Sequence, residues 1–147
     1  MYKDIPVLKK DNLCIHSLKK EDTEQLRYLY PYPLDDIKLK LFTDELLNGI
    51  TIGIYEEVLK GIIQLYDLGN DTYEIGYRTI YGEQNKGYME QGVSLLLEFI
   101  KDTDVKRLIA RVENTNLASR HILRNNGFLQ ESYIDGVYLY SREWNRR

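Results

Sequence analysis

Apolar residues change their spacing several times along this chain, and each change marks a new element. Leu13, Ile15 and Ser17 alternate with Cys14 and His16, the period of a half-buried strand. Glu21 to Tyr30 instead sets Leu26, Leu29 and Tyr30 on one side behind acids in the first turn. That pattern predicts a short helix, ended by Pro31 and Pro33. A second helix is predicted from about Asp35, with Ile37, Leu41 and Leu46 facing inward and Asn48-Gly49 closing it. Ile50 to Tyr55 and Val58 to Asp67 are β-rich runs joined across Glu56-Glu57, hence a hairpin. Gly69-Asn70-Asp71 then turns the chain into a further strand, Thr72 to Tyr81.

The stretch Gly82 to Asp102 organises the rest of the chain: a polar, glycine-containing turn runs into an apolar-periodic helix that begins near Gly87. Arg107 to Val112 reads as a strand, and the helix between it and Thr72 to Tyr81 implies a parallel crossover beside that strand. Leu117 to Asn126 is a helix stopped by Gly127. Phe128 to Ile134 and Val137 to Trp144 are strands hinged at Asp135-Gly136, a dipeptide suited to a type I′ turn. The order is βααβββαβαββ, with no linker, repeat or low-complexity tract. We therefore expect residues 1–147 to form one domain, an α/β (α+β) fold with a mixed, mostly antiparallel seven-stranded sheet flanked by four helices.

Composition narrows the function classes. Lys and Arg number 20 against 23 Asp and Glu, a net charge of −3, so no global basic field favours nucleic acid, and a cationic substrate fits better. Cys14 is the only cysteine, which excludes an intramolecular disulfide and suggests a reducing compartment. No set of thiols and imidazoles suits zinc, so no metal is expected. Met1 to Cys14 lacks the apolar run of a signal peptide, and no stretch approaches the ~18 apolar residues of a membrane span. A cytoplasmic protein with no membrane partner is the expectation. The 13 tyrosines read mostly as packing on half-buried sheet faces, and Arg146-Arg147 as a solvated end. His16 reads as a strand residue with a satisfied ring nitrogen, and His121 as a surface or core residue.

A strand, a glycine turn and a helix N-terminus aim free backbone N–H groups and the positive end of a helix dipole at one point. This is an anion site, although an ordinary turn that needs glycine for its backbone angle has the same pattern. The segment Gln84-Asn85-Lys86-Gly87-Tyr88-Met89 resembles the diagnostic Gln/Arg-x-x-Gly-x-Gly/Ala of the GNAT superfamily of acetyl-CoA-dependent N-acetyltransferases. Glu113-Asn114-Thr115-Asn116-Leu117-Ala118-Ser119, followed eight residues later by Gly127-Phe128, is similar to the RimJ/RimL-like branch, which includes ribosomal-protein N-terminal acetyltransferases. The closing strand Tyr138 to Trp144 also looks like that branch. Met89 stands where the superfamily has a small residue, Gln91-Gly92 where the branch commonly has Glu-Ala, and Leu123 where many members carry a proton-donating tyrosine.

The resemblance implies a transfer of acetyl from acetyl-CoA straight to a primary amine, on a protein N-terminus or a small molecule. It implies that the amides of Gln84, Asn85, Lys86, Gly87, Tyr88 and Met89 hold the cofactor pyrophosphate. Backbone groups of Arg78, Thr79 and Ile80, with Asn116 and Ser119, would then meet the pantetheine. Such chemistry needs a neutral amine, a stabilised oxyanion and a proton for the departing sulfur. Glu74 is the first candidate base, in the strand that leads to the turn, with Glu113 the runner-up. Ser119 is the proton donor that the branch implies. Tyr133, Tyr138 and Tyr140 are open both to packing and to replacing the missing tyrosine. Asn116 should also cap the helix that begins after it. A catalytically degenerate acyl-CoA-binding or regulatory module is the alternative. Pairing of a sheet edge into a homodimer is a further possibility.

Overall fold

A computed structural model describes residues 4–145; Met1 to Lys3 and the Arg146-Arg147 end lie outside the described residues. In chain order the elements are β1 (Leu8–Lys10), β2 (Leu13–Ser17), a 3-10 helix (Lys20–Tyr28), α1 (Asp36–Asn48), β3 (Ile50–Glu56), β4 (Val58–Gly69), β5 (Thr72–Thr79), α2 (Tyr88–Ile100), β6 (Arg107–Glu113), α3 (Leu117–Asn125), β7 (Leu129–Ile134) and β8 (Val137–Glu143). The strands form one mixed sheet in the order β1-β2-β3-β4-β5-β6-β8-β7, in which β5 and β6 are the parallel pair. The α/β architecture, the two hairpins and the crossover through α2 are as expected. Asp135 and Gly136 both take positive φ, as a type I′ turn requires.

Three expectations need correction. The sheet has eight strands among the described residues, because Leu8 to Lys10 folds back over Asp11 to pair with Leu13 to Ile15. Three residues with two lysines carry too little alternation to announce a strand. The first helix is a 3-10 helix, and Pro31 and Pro33 do separate it from α1. On α1 the inward residues are Leu39, Thr43 and Leu46, whereas Ile37 and Leu41 are 76% and 66% exposed. The capping hydrogen bond from Lys38 N–H to the Asp35 carboxylate, 2.8 Å, marks where the helix starts, and Leu39 and Leu46 turn inward because they pack with Leu59 and Ile62.

The sheet separates two apolar clusters. Under α2, Met89, Val93, Leu96, Leu97 and Ile100 pack on Ile15, Ile52, Ile54, Ile63, Leu65 and Ile75. The opposite face carries a smaller cluster in which Leu26 and Leu29 of the 3-10 region and Leu39 and Leu46 of α1 cover Leu59 and Ile62. Gly92 explains how closely α2 approaches the sheet. A Cβ there would lie 2.5 Å from Ile54 Cδ1 and 2.8 Å from Cγ1, so the residue that weakens the helix by about 1 kcal/mol relative to Ala is the one that the packing requires.

Candidate active site

β5 and β6 run side by side only from Thr72 and Arg107 to Glu74 and Ile109. Beyond that point each stays with its outer neighbour. β5 stays on β4 as far as the Gly61–Thr79 pair, and β6 stays on β8 as far as Glu113–Val137. Two adjacent strand edges thus diverge with no ladder between them, leaving inner N–H and C=O groups for another partner. A cavity of about 240 Å³ lies between Ile75 to Tyr77 on one side and Ala110 to Glu113 on the other, closed by Asn116 and Ser119 at the start of α3.

The glycine turn lies along the β5 side of this opening. Asn85 and Gly87 are left-handed, with φ of 63° and 83°, and Lys86 between them is not, an alternation that curls successive amides into a concavity. The first backbone bond into α2 runs from Gln91 N–H to Gly87 C=O, 3.1 Å, and no side chain caps the helix. The amides of Tyr88, Met89 and Glu90 therefore have no intrahelical acceptor. They face a cavity of about 510 Å³ that Gln84, Asn85, Gly87, Tyr88, Met89, Ala118 and His121 help to line. Gln84 folds its side-chain oxygen back onto Gly82 N–H at 2.7 Å, which fixes the turn. A third concavity of about 450 Å³ shares Thr79, Gln84 and Met89 with this cavity and Tyr77, Asn116 and Ser119 with the opening between the strands.

Charge at the turn is balanced internally. Glu83 accepts from Lys86 Nζ at 3.0 Å and lies 3.4 Å from Lys60 Nζ, and the Lys86 hydrogen bond holds its carboxyl below the usual range. The Lys60 ammonium also stands over the Tyr88 ring at 5.3 Å. Met89 does not crowd the turn: it is 5% exposed, and its Cε packs against Gly61, where a Cβ would meet it at 3.0 Å. Gly61 is thus required for that contact and for the Arg78 carbonyl at the same distance.

The remaining predicted residues divide between the two faces of the sheet. Tyr73, Ile75 and Tyr77 share the α2 face, and Glu74, Gly76 and Arg78 the other. On the α2 side the Tyr77 hydroxyl is 2.8 Å from Ser119 Oγ and 3.2 Å from the Ser119 carbonyl, two acceptors within reach of its one hydrogen. Burial pushes the Tyr77 phenol up to about 12, opposed by its bond to Ser119. Asn116 caps α3 by accepting from Ser119 N–H at 3.1 Å while it faces the opening. Glu74 lies on the opposite face at the closed end, 3.6 Å from Arg111 Nη1, so the structure does not bring it against Ser119. Glu113 is exposed at the open end. Arg78 stacks its guanidinium on Tyr30 at 4.8 Å, and Thr79 borders both larger cavities. Ile80 departs from expectation. Its N–H is taken by the Lys60 carbonyl at 2.8 Å, its C=O accepts from Glu83 N–H at 2.9 Å, and its side chain is buried, so its N–H is not free for a ligand.

Leu123, at the position of the missing tyrosine, is fully buried, and the late-strand tyrosines are engaged elsewhere. Arg120 stacks on Tyr138 at 4.1 Å and donates to the Tyr140 hydroxyl at 3.3 Å, and Tyr133 accepts from Asn114 at 3.0 Å. The tyrosine beside Ser119 is Tyr77, 42 residues away in sequence. Strand alternation from Tyr73 points to its face, but only the crossover brings α3 over it. Sequence reading also missed Glu83 and the relay in which Asn125 donates to Glu90 at 2.7 Å and meets His121 at 2.9 Å, joining α3 to α2 beside the turn. His16, by contrast, is a strand residue as expected: its ring stacks on Tyr55 at 4.2 Å and Nδ1 meets the Ser17 carbonyl.

Residues 10–129 match the family described as Acetyltransferase (GNAT) domain. The chain belongs to this family. A curated relative, the uncharacterized N-acetyltransferase YnaD of Bacillus subtilis, is 31% identical over 91 residues, which cover 60% of this chain; the match spans about half of that relative, 54%. Solved GNAT structures share the fold. A GNAT-family acetyltransferase from Bacillus anthracis superposes with a TM-score of 0.81 at 20% identity, covering 94% of this chain and 98% of that one. RimL, a ribosomal L7/L12 alpha-N-protein acetyltransferase in complex with coenzyme A, gives 0.79 at 18% identity with the same two coverages, 94% and 98%. The microcin C7 self immunity acetyltransferase MccE, in complex with acetyl-CoA and AMP, gives 0.74 at 18% identity, covering 92% and 94%. As a GNAT domain, the chain has diverged strands and a glycine turn on one continuous concavity. Among the described residues no helix is long and apolar enough to cross a membrane, and no group of three or more His, Cys, Asp or Glu is placed to hold a metal.

Proposed function

We propose that the protein is an acetyl-CoA-dependent N-acetyltransferase, one catalytic domain that moves acetyl directly to a primary amine on a protein N-terminus or a small molecule. One observation carries this reading. The parted β5 and β6 open onto the same concavity as the uncapped amides of α2, so a ligand with a phosphate at one end and an extended amide-bearing arm fits both at once. The amides of Asn85 to Met89 would hold the pyrophosphate with Lys86, once Lys86 turns from Glu83. Arg78, Thr79 and Asn116 would border the arm, whose amides complete the unpaired strand edges.

Ser119, at the meeting of the cavities, is the proton donor to the departing sulfur. The acceptor amine arrives from the opposite face, where Glu74 is the base, directly or through water. An α-amino group, with a pKa near 8, needs little help to lose its proton. The family, the RimL-like fold and the buried side chain of Met89 support this reading over a degenerate acyl-CoA-binding module. A cytoplasmic location and a homodimer paired through a sheet edge belong to the same proposal.

Acetyl-CoA at about 100 times its dissociation constant should add roughly 2.7 kcal/mol of stability, read as a raised thermal midpoint. Gly87→Asp should remove the response, because it forces a non-glycine residue to φ 83° against Gln91 and sets a carboxylate among the phosphate-facing amides. Thiol release from acetyl-CoA that requires an added amine completes the test. Saturable binding without amine-dependent turnover would instead mark a binding module, and no binding at millimolar cofactor would reject the site.

A further inference from the structure

The Tyr77 phenol has one hydrogen and two acceptors within reach, Ser119 Oγ at 2.8 Å and the Ser119 carbonyl at 3.2 Å. These alternatives define two arrangements of the pair. When the phenol donates to the carbonyl, the Ser119 hydroxyl donates to Tyr77 and its hydrogen is turned away from the cleft. When the phenol donates to Oγ, the 2.8 Å contact is kept with its direction reversed, and the Ser119 hydrogen is released to meet an acceptor elsewhere, such as a thiolate in the cleft. Ser119, like Tyr77, borders both the opening between the strands and the adjoining concavity, so a hydrogen so released has the space between β5 and β6 open to it.

We propose that Tyr77 is the positioning residue for the proton that the leaving sulfur acquires, holding Ser119 Oγ as acceptor so that the only hydroxyl hydrogen of Ser119 points into the cleft. This deepens the reading of Ser119 above and rests on it. In the step it serves, the amine nitrogen bonds to the acetyl carbon and the carbon–sulfur bond breaks with its electron pair on sulfur. Sulfur takes the Ser119 proton, and Ser119 is refilled by solvent with the proton that the nitrogen sheds. Tyr77 keeps its own proton and stabilises the transient charge on the serine oxygen. A phenol whose ionisation is pushed up by burial stays a donor throughout the working range.

The experiment uses the whole chain with acetyl-CoA and a reactive primary amine, and compares wild type with Tyr77→Phe, Ser119→Ala and the double variant. Tyr77→Phe should lower kcat about tenfold, less than the roughly 10²- to 10⁴-fold that a positioned acid itself contributes, because the serine keeps its proton. Its calorimetric Kd for acetyl-CoA and KM for the amine should stay at wild-type values, the thermal midpoint should fall only by the few degrees that one lost hydrogen bond costs, and the solvent deuterium isotope effect on kcat should rise as proton delivery becomes slower. Ser119→Ala should lose more, and the double variant no more than Ser119→Ala alone. An unchanged kcat in Tyr77→Phe, or a double loss equal to the product of the single losses, overturns the proposal. If wild type turns over and Ser119→Ala keeps the full rate, the serine is not the donor and the proposal falls alone. If wild type releases no thiol with any amine, it falls together with the proposed function.

Discussion

The two layers that cover this sheet are held by different forces. α2 is laid on its face by apolar burial: its five inward residues are buried, and Gly92 lets the helix sink onto Ile54. The 3-10 and α1 layer is fastened by polar pins. The Tyr55 hydroxyl donates to Asp22 at 2.6 Å, and the Gln25 side chain accepts from Leu59 N–H at 3.0 Å where a register shift in the β3–β4 pair frees that donor. Arg27 spans the proline break, donating to the Leu34 carbonyl at 2.7 Å and to Asp36 at 2.8 Å. Burial without direction suits the helix that presents fixed amides, because it holds a rigid face over its whole length. Pins concentrate the energy in a few bonds, so this layer should fail bond by bond.

The pins offer the largest effect. Tyr55→Phe removes a hydrogen bond to a carboxylate in a buried setting and should cost about 2 kcal/mol in a denaturant melt. It should also change the alkaline limb. Burial, then the Asp22 bond and charge, push the Tyr55 ionisation upward. A group whose folded pKa is raised contributes stability that is complete below the unfolded value, near 10, and is lost as pH rises above it. Wild type should therefore lose stability steeply above about pH 10. Tyr55→Phe should fall less steeply, and Tyr77→Phe likewise, the Tyr77 contribution being exhausted by about 12. Parallel limbs for wild type and Tyr55→Phe would mean that the hydroxyl is not pinned in solution.

The same division governs how much was legible. Thr72 to Asp102 could be read because its strand, turn and helix are local: alternation, a glycine with positive φ and a 3.6-residue stripe each leave a mark in neighbouring residues. The capping of α3 by Asn116 was legible for the same reason. The polar pins join residues 33 and 34 apart in sequence, Asp22 with Tyr55 and Gln25 with Leu59, and no local pattern encodes such partners. Tyr77 was missed alike, since its role depends on α3 folding over β5. Ile80 illustrates the converse: its position by the turn suggested free backbone groups, but the bulge at Lys60 supplies an acceptor for its N–H.

Gly92→Ala tests the burial side of the comparison. Alanine gains about 1 kcal/mol of helix propensity, but its methyl must displace Ile54, whose side chain is fully buried, at an overpacking cost of roughly 1 to 3 kcal/mol. The expected net loss is about 1 kcal/mol in a denaturant melt. Ile54→Val deletes Cδ1, the nearest atom, so the double variant should be more stable than the sum of the single losses predicts. A stabilised Gly92→Ala would show that α2 has room to spare, and that the contrast between the layers is overstated.

The smallest effect belongs to Ile37 and Leu41, which the amphipathic pattern placed inside and the fold leaves outside. One turn apart on α1, they are largely exposed, while Leu39, Thr43 and Leu46 are buried. Ile37→Gln and Leu41→Gln should each change stability by no more than about 0.5 kcal/mol, as exposed positions do. Were either side chain in the smaller cluster, truncating it to a polar group would cost several times as much, comparable to a core Leu→Ala at about 2 to 5 kcal/mol. The measurement therefore separates two registers of one helix. A loss above about 2 kcal/mol in either variant would rotate α1 by a large part of a turn and return the Asp35 cap to solvent. A neutral result would place both side chains in solvent and leave Leu39, Thr43 and Leu46 as the stripe that this layer buries.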